Sequence, residues 1–358
     1  MILEGGTDPQ NVLALADAAA RSLSDHRRGL LPEPIMLVEP GVSVPEVESR
    51  PGTAFLVRTS GSSSGTGKLV ELPWDSIIAS ASATTEALGG PGRWLATLPV
   101  HHVAGLQTVL RSIMAGVAPL PYRLGDDIPD GRTYLSLVPT QLRRVLGNPD
   151  WLERAAAVDA ILVGGQSTPP ILLEQGRAAG LTLVTTYGMT ETCGGCVYDG
   201  TPIGSTAIAL EDGRIIIEGP VVALGYAGGE AFGGRFVTND AGRITDRLTV
   251  LGRVDDAITT GGLTIMPVLL EDLVADLFSL ASVGLGVRDD EWGERLVLVT
   301  DGKADARKIR RHAKTHLGAE YAPKEVISVA DLGLDHLPLT DSGKVDRRAL
   351  AQILEERP

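Results

Sequence analysis

Apolar residues in this chain come in short runs separated by polar, glycine-containing stretches. Val12, Leu13, Leu15, Ala16 and Ala19 recur at helical spacing after Asp8-Pro9, which predicts a helix over 8–29. Pro32 to Pro51 is proline-rich and predicts extended chain. Ala54–Val57 and Leu69–Leu72 are compact apolar runs that predict strands on either side of a polar turn. Ser76–Leu88 predicts a helix stopped by Gly89-Gly90. Predicted strands over 94–99, 133–138, 160–163 and 181–186 then alternate with helices over 106–115, 140–146 and 170–179. This alternation is the α/β signature. Its polar, glycine-bearing segments follow strand ends, where open α/β sheets bind ligands.

From about residue 203 the pattern changes. Runs flanking Asp212-Gly213 predict a hairpin, and Leu248–Leu251 adds a strand, so a small antiparallel subdomain is expected. Beyond Asp256 come predicted helices over 267–280 and 304–317, strands over 281–287, 295–300 and 325–329, and a last helix from Asp346. This predicts a separate small α+β unit.

Composition narrows the classes. A hydrophobic fraction of 43% over 358 residues supports real cores in about two domains. The net charge of −13, with no basic block, argues against nucleic acid as a partner. The N-terminus does not read as a signal peptide, and no run approaches a membrane span, so a cytoplasmic protein is expected. Cys193 and Cys196 form a C-x-x-C pair, but zinc would need further ligands and the pair does not open a helix. They read as small buried residues.

The turn between the first strand pair carries the clearest chemistry. Thr59, Ser60, Gly61, Ser62, Ser63, Ser64, Gly65, Thr66, Gly67 and Lys68 combine hydroxyls, glycines and one cation. Glycines let the backbone approach a ligand, successive N–H groups make an anion-binding concavity, and lysine adds positive charge. A flexible linker is the plain alternative, although linkers are seldom framed by strands. A Walker A loop fails twice: five residues separate Gly61 from Gly67, and Leu69 follows the lysine.

Thr59–Lys68, Tyr187-Gly188-Met189-Thr190-Glu191-Thr192, Thr238-Asn239-Asp240, Gly252–Gly262 and Pro338–Lys344 follow one another in the order of the signatures of acyl-adenylate-forming enzymes. The chain resembles that superfamily of acyl-CoA synthetases, luciferases and adenylation domains from about Thr53 to Arg348. Leu88–Trp94, Leu98–Gln107 and Tyr187–Gly200 resemble most closely the short actinobacterial form of the ligases that join 2-succinylbenzoate to coenzyme A in menaquinone biosynthesis.

The resemblance implies an N-terminal ATP- and acyl-binding domain over 1–252, shortened at its start, a hinge at 253–256, and a mobile C-terminal domain over 257–358. It implies ATP, Mg²⁺ and CoA as cofactor and co-substrates, an aromatic carboxylic acid as substrate, and allows a homodimer. Thr59–Lys68 would cradle phosphates, Thr190 would bond the α-phosphate, and Glu191 would hold Mg²⁺. Gly164, Gly165, Gln166, Thr186, Tyr187 and Gly188 would line the nucleotide, with Asp240 on the ribose and Arg253 assisting. His101, His102, Gly105, Gln107, Gly188 and Met189 would line the acyl pocket, and His102 is also a catalytic candidate. Which of His101, His102, Gln107 or Arg143 meets a second substrate carboxylate stays open. Adjacent histidines on an extended segment point apart, which argues against a metal there. Asp255 would be the hinge, Gly261 and Gly262 would admit the pantetheine arm, and Lys344 would act in the first half-reaction. Plain structural readings stand beside these: Glu191 as a solvated carboxylate, Asp255 as a turn residue, Gly164-Gly165 as a tight turn. The alternatives in function are an aryl-acid adenylation enzyme loading a carrier protein, and a non-catalytic nucleotide-binding homologue. The latter rests on the extra serine in the loop and on Gly67 where proline is usual.

Overall fold

A computed structural model describes residues 1–42, 46–59, 67–339 and 345–357. The first helix, Pro9–Arg27, starts where its cap and proline predict. Asp8 accepts a hydrogen bond from the Gln10 N–H at 2.8 Å, and Val12, Leu15 and Ala19 are fully buried. That face packs into a core with Phe55, Leu72, Trp74 and Leu106. Phe55 and Trp74 meet edge-to-face at 5.3 Å.

Two sheets flank this core. One has the order Ile2–Glu4, Ile35–Val38, Thr53–Arg58, Leu69–Pro73, Gly225–Tyr226. Its first three strands are parallel and its last two antiparallel to their neighbours. The other runs Thr201–Pro202, Gly194–Tyr198, Leu183–Met189, Ala160–Val163, Thr133–Leu137, Arg93–Ala96, Leu120–Pro121. Its last five strands are parallel, so their C-terminal ends share one edge. Continuous burial of Ala160–Val163 and Thr133–Leu137 is what a parallel strand covered on both faces requires.

The Asp212-Gly213 turn closes a hairpin within a four-stranded antiparallel sheet of Ala207–Glu211, Arg214–Glu218, Arg235–Ile244 and Leu248–Arg253. After Asp256 the chain builds an α+β unit with its own cores, around Leu285, Val299 and Leu350 and around Leu270, Leu298 and Ile309. This unit docks through helix Pro267–Phe278 on helix Pro170–Ala178. Asp272 accepts from Ser167 Oγ at 3.1 Å, and Asp276 accepts from the Ile171 N–H at 3.2 Å. Burial in that contact pushes the Asp272 carboxyl up to about 6. Among the described residues no helix is long and apolar enough to cross a membrane. The architecture is the expected α/β domain with an antiparallel subdomain and an α+β C-terminal unit.

Candidate active site

Strands Thr53–Arg58 and Leu69–Pro73 hold shut the base of the segment expected to bind phosphate. The Thr59 N–H donates to Lys68 O at 2.9 Å, the Lys68 N–H to Thr59 Oγ1 at 3.0 Å, and Arg58 Nη1 to Gly67 O at 2.7 Å. Ser60, Gly61, Ser62, Ser63, Ser64, Gly65 and Thr66 lie outside the described residues, as does Lys344. Lys68 stands at the loop's exit with its Nζ 4.5 Å from the centre of the Tyr226 ring.

Strand Leu183–Met189 ends at the shared sheet edge and passes into one tight turn, Thr190–Thr192. Thr192 Oγ1 accepts from the Met189 N–H at 2.9 Å and lies 2.8 Å from the Gly194 carbonyl, which fixes the turn. Cys193 leaves it in the left-handed region at φ 52°. The chain then doubles back antiparallel, with Gly194 opposite Met189 and Gly195 opposite Gly188. Gly188 has no room for a side chain, because a Cβ there would overlap Gly194 O. Thr190 and Glu191 are buried by this reversal. The Tyr226 hydroxyl donates to Glu191 Oε1 at 2.7 Å. Burial raises the Glu191 carboxyl, and the Tyr226 bond and the Lys68 and Arg253 charges oppose that shift. The reading of Glu191 as a solvated carboxylate does not hold, since only 8% of it is exposed.

Among the residues expected at the nucleotide, Gly164-Gly165-Gln166 follows strand Ala160–Val163, with Gly165 at φ 85° and Gln166 exposed. Thr186 and Tyr187 lie on the neighbouring strand. The Tyr187 hydroxyl donates to Asp240 Oδ2 at 2.8 Å; burial, then the nearby carboxylate, raises this phenol far above its ordinary value. Asp240 pairs in register with Arg253 across the antiparallel strands. Arg253 Nη2 itself donates to Asp255 Oδ2 at 3.1 Å, and Asn239 Nδ2 donates to the same oxygen. Asn239, which stands where the resemblance expects glycine, is therefore tied to the expected hinge residue. Gly261 and Gly262 form the left-handed turn between Ile258–Thr260 and Leu263–Ile265, and among the described residues nothing lies within 4 Å of where a Gly262 Cβ would be.

His101 and His102 precede helix Val103–Met114; they were expected to point apart, but the chain turns there instead of staying extended and their rings stand 4.3 Å apart. Gly105 is forced by closeness, since a Cβ there would overlap Pro99 O. Gln107 donates through Nε2 to Cys193 O, while its buried Oε1 has no partner among the described residues. One helical turn on is Arg111, which the sequence reading passed over. It is 5% exposed, and its guanidinium lies 4.8 Å from the Trp94 ring centre and hydrogen-bonds Tyr198. Among the described residues its Nε has no partner and no carboxylate pairs with it. Burial accordingly pulls its pKa down. A Gly194 Cβ would touch both Gln107 and Arg111, so that glycine keeps them open to the strand pair at Gly188–Met189. The signal was present in the sequence: Arg111 sits four residues after Gln107 and so shares its helix face. Arg143, another candidate for a second carboxylate, lines the cleft with Ile171, Gln175 and Leu280 near the C-terminal unit instead.

Cys193 and Cys196 are free and fully buried. Burial pushes both thiols up, Cys196 to about 12. Among the described residues no group of three or more His, Cys, Asp or Glu is placed to hold a metal by itself.

Around strand Leu183–Met189 and the turn that follows it stand a buried carboxylate bonded to Tyr226, Lys68 over the same ring, and the Tyr187–Asp240 pair. The chain belongs to the AMP-binding enzyme family, whose model matches residues 8–227. It is 38% identical over 327 residues to a probable 2-succinylbenzoate–CoA ligase of Mycobacterium tuberculosis, covering 84% of each chain. It is 28% identical over 333 residues to the 2-succinylbenzoate–CoA ligase of Staphylococcus epidermidis, covering 82% of this chain and 69% of that one. Among solved structures, o-succinylbenzoate CoA synthetase (MenE) of Bacillus subtilis in complex with the acyl-adenylate OSB-AMP matches with a TM-score of 0.74 at 22% identity, over 100% of this chain and 88% of that one. The same enzyme with ATP and magnesium matches with a TM-score of 0.73 at 22% identity, over 98% of this chain and 88% of that one. These structural likenesses establish the fold.

Proposed function

We propose that the chain is an AMP-forming acid–thiol ligase that converts 2-succinylbenzoate, ATP and CoA to 2-succinylbenzoyl-CoA, AMP and pyrophosphate. The likeness to the mycobacterial ligase across 84% of both chains carries this reading. The buried guanidinium of Arg111, held by Tyr198 and the Trp94 ring but facing no carboxylate among the described residues, supports the substrate class, because an aromatic acid with a second carboxylate supplies an anion.

In the first half-reaction the substrate carboxylate attacks the α-phosphorus of ATP and pyrophosphate leaves. The residues of 59–68 cradle the phosphates, Thr190 bonds the α-phosphate, Tyr187 and Asp240 hold the nucleoside, and His102 borders the acyl group. Glu191 fits a magnesium ligand, since a single hard carboxylate completed by phosphate and water oxygens is a usual Mg²⁺ set. Bound magnesium would offset the phosphates' negative charge. In the second half-reaction the CoA thiol attacks the acyl carbon and AMP leaves. The unit after Asp256 would turn about Asp255 between the two, which requires the Asp272 and Asp276 contacts to open. Gly262 then faces the entering pantetheine arm. Gly262→Trp should leave acid-dependent pyrophosphate release within about twofold while lowering thioester formation tenfold or more, as expected of a blocked channel. Undiminished CoA thioester synthesis would remove Gly262 from that path.

The deciding experiment is pyrophosphate release across aromatic and aliphatic acids, with and without CoA. 2-Succinylbenzoate should give the highest rate, with CoA consumed in step. Adenylate formation with no transfer to CoA would favour the carrier-loading alternative. No release with any acid would favour a non-catalytic nucleotide-binding protein. The protein is expected to be cytoplasmic, and the family resemblance allows a homodimer.

A further inference from the structure

Tyr226 was not singled out by any sequence motif, yet it touches two groups of the reaction at once. Its hydroxyl donates to Glu191 Oε1 at 2.7 Å, and its ring face lies 4.5 Å from Lys68 Nζ. A partly buried tyrosine such as Tyr226 commonly satisfies its hydroxyl on whatever acceptor is near. This one satisfies it on the carboxylate read as the magnesium ligand.

We propose that Tyr226 is a positioning residue that couples the metal-binding carboxylate Glu191 to the phosphate-loop lysine Lys68. The proposal rests on the functional reading above. Its physical basis is that a carboxylate's terminal torsion is soft, so an unrestrained Glu191 would sweep a broad arc. A hydroxyl on one oxygen fixes that torsion, as outer partners do for metal ligands generally. The same ring, through its negative face, holds the ammonium of Lys68.

The surroundings hold Tyr226 itself in place. Gly225 and Tyr226 pair with Glu71 and Val70 on the strand that leaves the phosphate loop, so Tyr226 is registered two residues beyond Lys68. Arg50 donates to Tyr226 O at 3.0 Å and forms an ion pair with Glu71, whose side chain is buried. Phe232 meets the Tyr226 ring edge-on at 5.0 Å. A shift of the loop strand therefore carries the tyrosine, and with it the orientation of Glu191.

The test is calorimetric binding of ATP in excess Mg²⁺ and in EDTA, on the full chain, for wild type, Tyr226→Phe, Tyr226→Leu, Glu191→Gln and the Tyr226→Phe/Glu191→Gln double variant. Thermal unfolding of each variant checks that it is folded. Tyr226→Phe keeps the ring and removes the hydroxyl. It should weaken binding about tenfold with Mg²⁺, the lower end of what outer-partner changes cost, and less than about twofold without it, because the Lys68 contact remains. In the Glu191→Gln background it should add nothing. Tyr226→Leu should weaken binding further in both conditions. Equal losses with and without Mg²⁺ for Tyr226→Phe, or an undiminished loss in the Glu191→Gln background, would overturn the coupling. Wild-type binding that Tyr226→Phe leaves unchanged would overturn the proposal alone. A wild-type chain that binds no ATP would overturn the functional reading and the proposal with it.

Discussion

Lys344→Ala is expected to lower acid-dependent pyrophosphate release by about a thousandfold while leaving thioester formation from supplied acyl-adenylate nearly intact. The resemblance puts Lys344 between the substrate carboxylate and the α-phosphate, where negative charge from both partners meets in the transition state. Removing one preorganised donor from such a centre costs about a hundred- to a thousandfold, and a full positive charge belongs at the upper end. The second half-reaction needs no cation at that point, because the thiol attacks an already activated acyl group. Single-turnover measurements of the two halves check this. Equal loss in both would remove Lys344 from the first step.

Arg111→Met should separate function from stability. A guanidinium that is 5% exposed, held by Tyr198 and the Trp94 ring but facing no carboxylate among the described residues, carries a desolvation cost in the folded chain. Methionine keeps much of the stem and removes the charge, so the unfolding midpoint should hold or rise. Binding of a substrate with a second carboxylate should instead lose a charge-assisted hydrogen bond, worth up to about 3 kcal/mol, or about a hundredfold. The loss should fall mainly on the KM for 2-succinylbenzoate. Benzoate analogues without the succinyl carboxylate should change by a few-fold at most. A large fall in stability, or the same loss for every acid, would mean that Arg111 serves packing.

The elements legible in the sequence were those set by local chemistry. Asp8-Pro9 starts a helix because a capped, proline-led first turn needs no tertiary help, and Asp212-Gly213 closes its hairpin for the same reason. Strand Gly194–Tyr198 was not visible, because its Gly-Gly-Cys opening has low strand preference and is extended only by pairing with Leu183–Met189. Helix Pro149–Ala156 was missed although Asn148 caps it. Motif residues such as Glu191 and Asp240 were singled out by the resemblance of the segments that carry them. Arg111 and Tyr226 were not, since each acquires its meaning from a segment far along the chain: Gly194 for one, Glu191 for the other. Asn239 acquires its contact in the same way, its amide donating to Asp255 sixteen residues on.

The contact between the chain's first turn and His101 decides where that ring keeps its proton. The Gly6 N–H donates to His101 Nδ1 at 2.9 Å, so the lone pair of that nitrogen is engaged. Burial also lowers the pKa of the ring, although Glu39 opposes this. A neutral imidazole accepting at Nδ1 must carry its hydrogen on Nε2. His101 is thereby fixed in one tautomer: toward its far side it can only donate, which suits it to steady an anion and disqualifies it from withdrawing a proton.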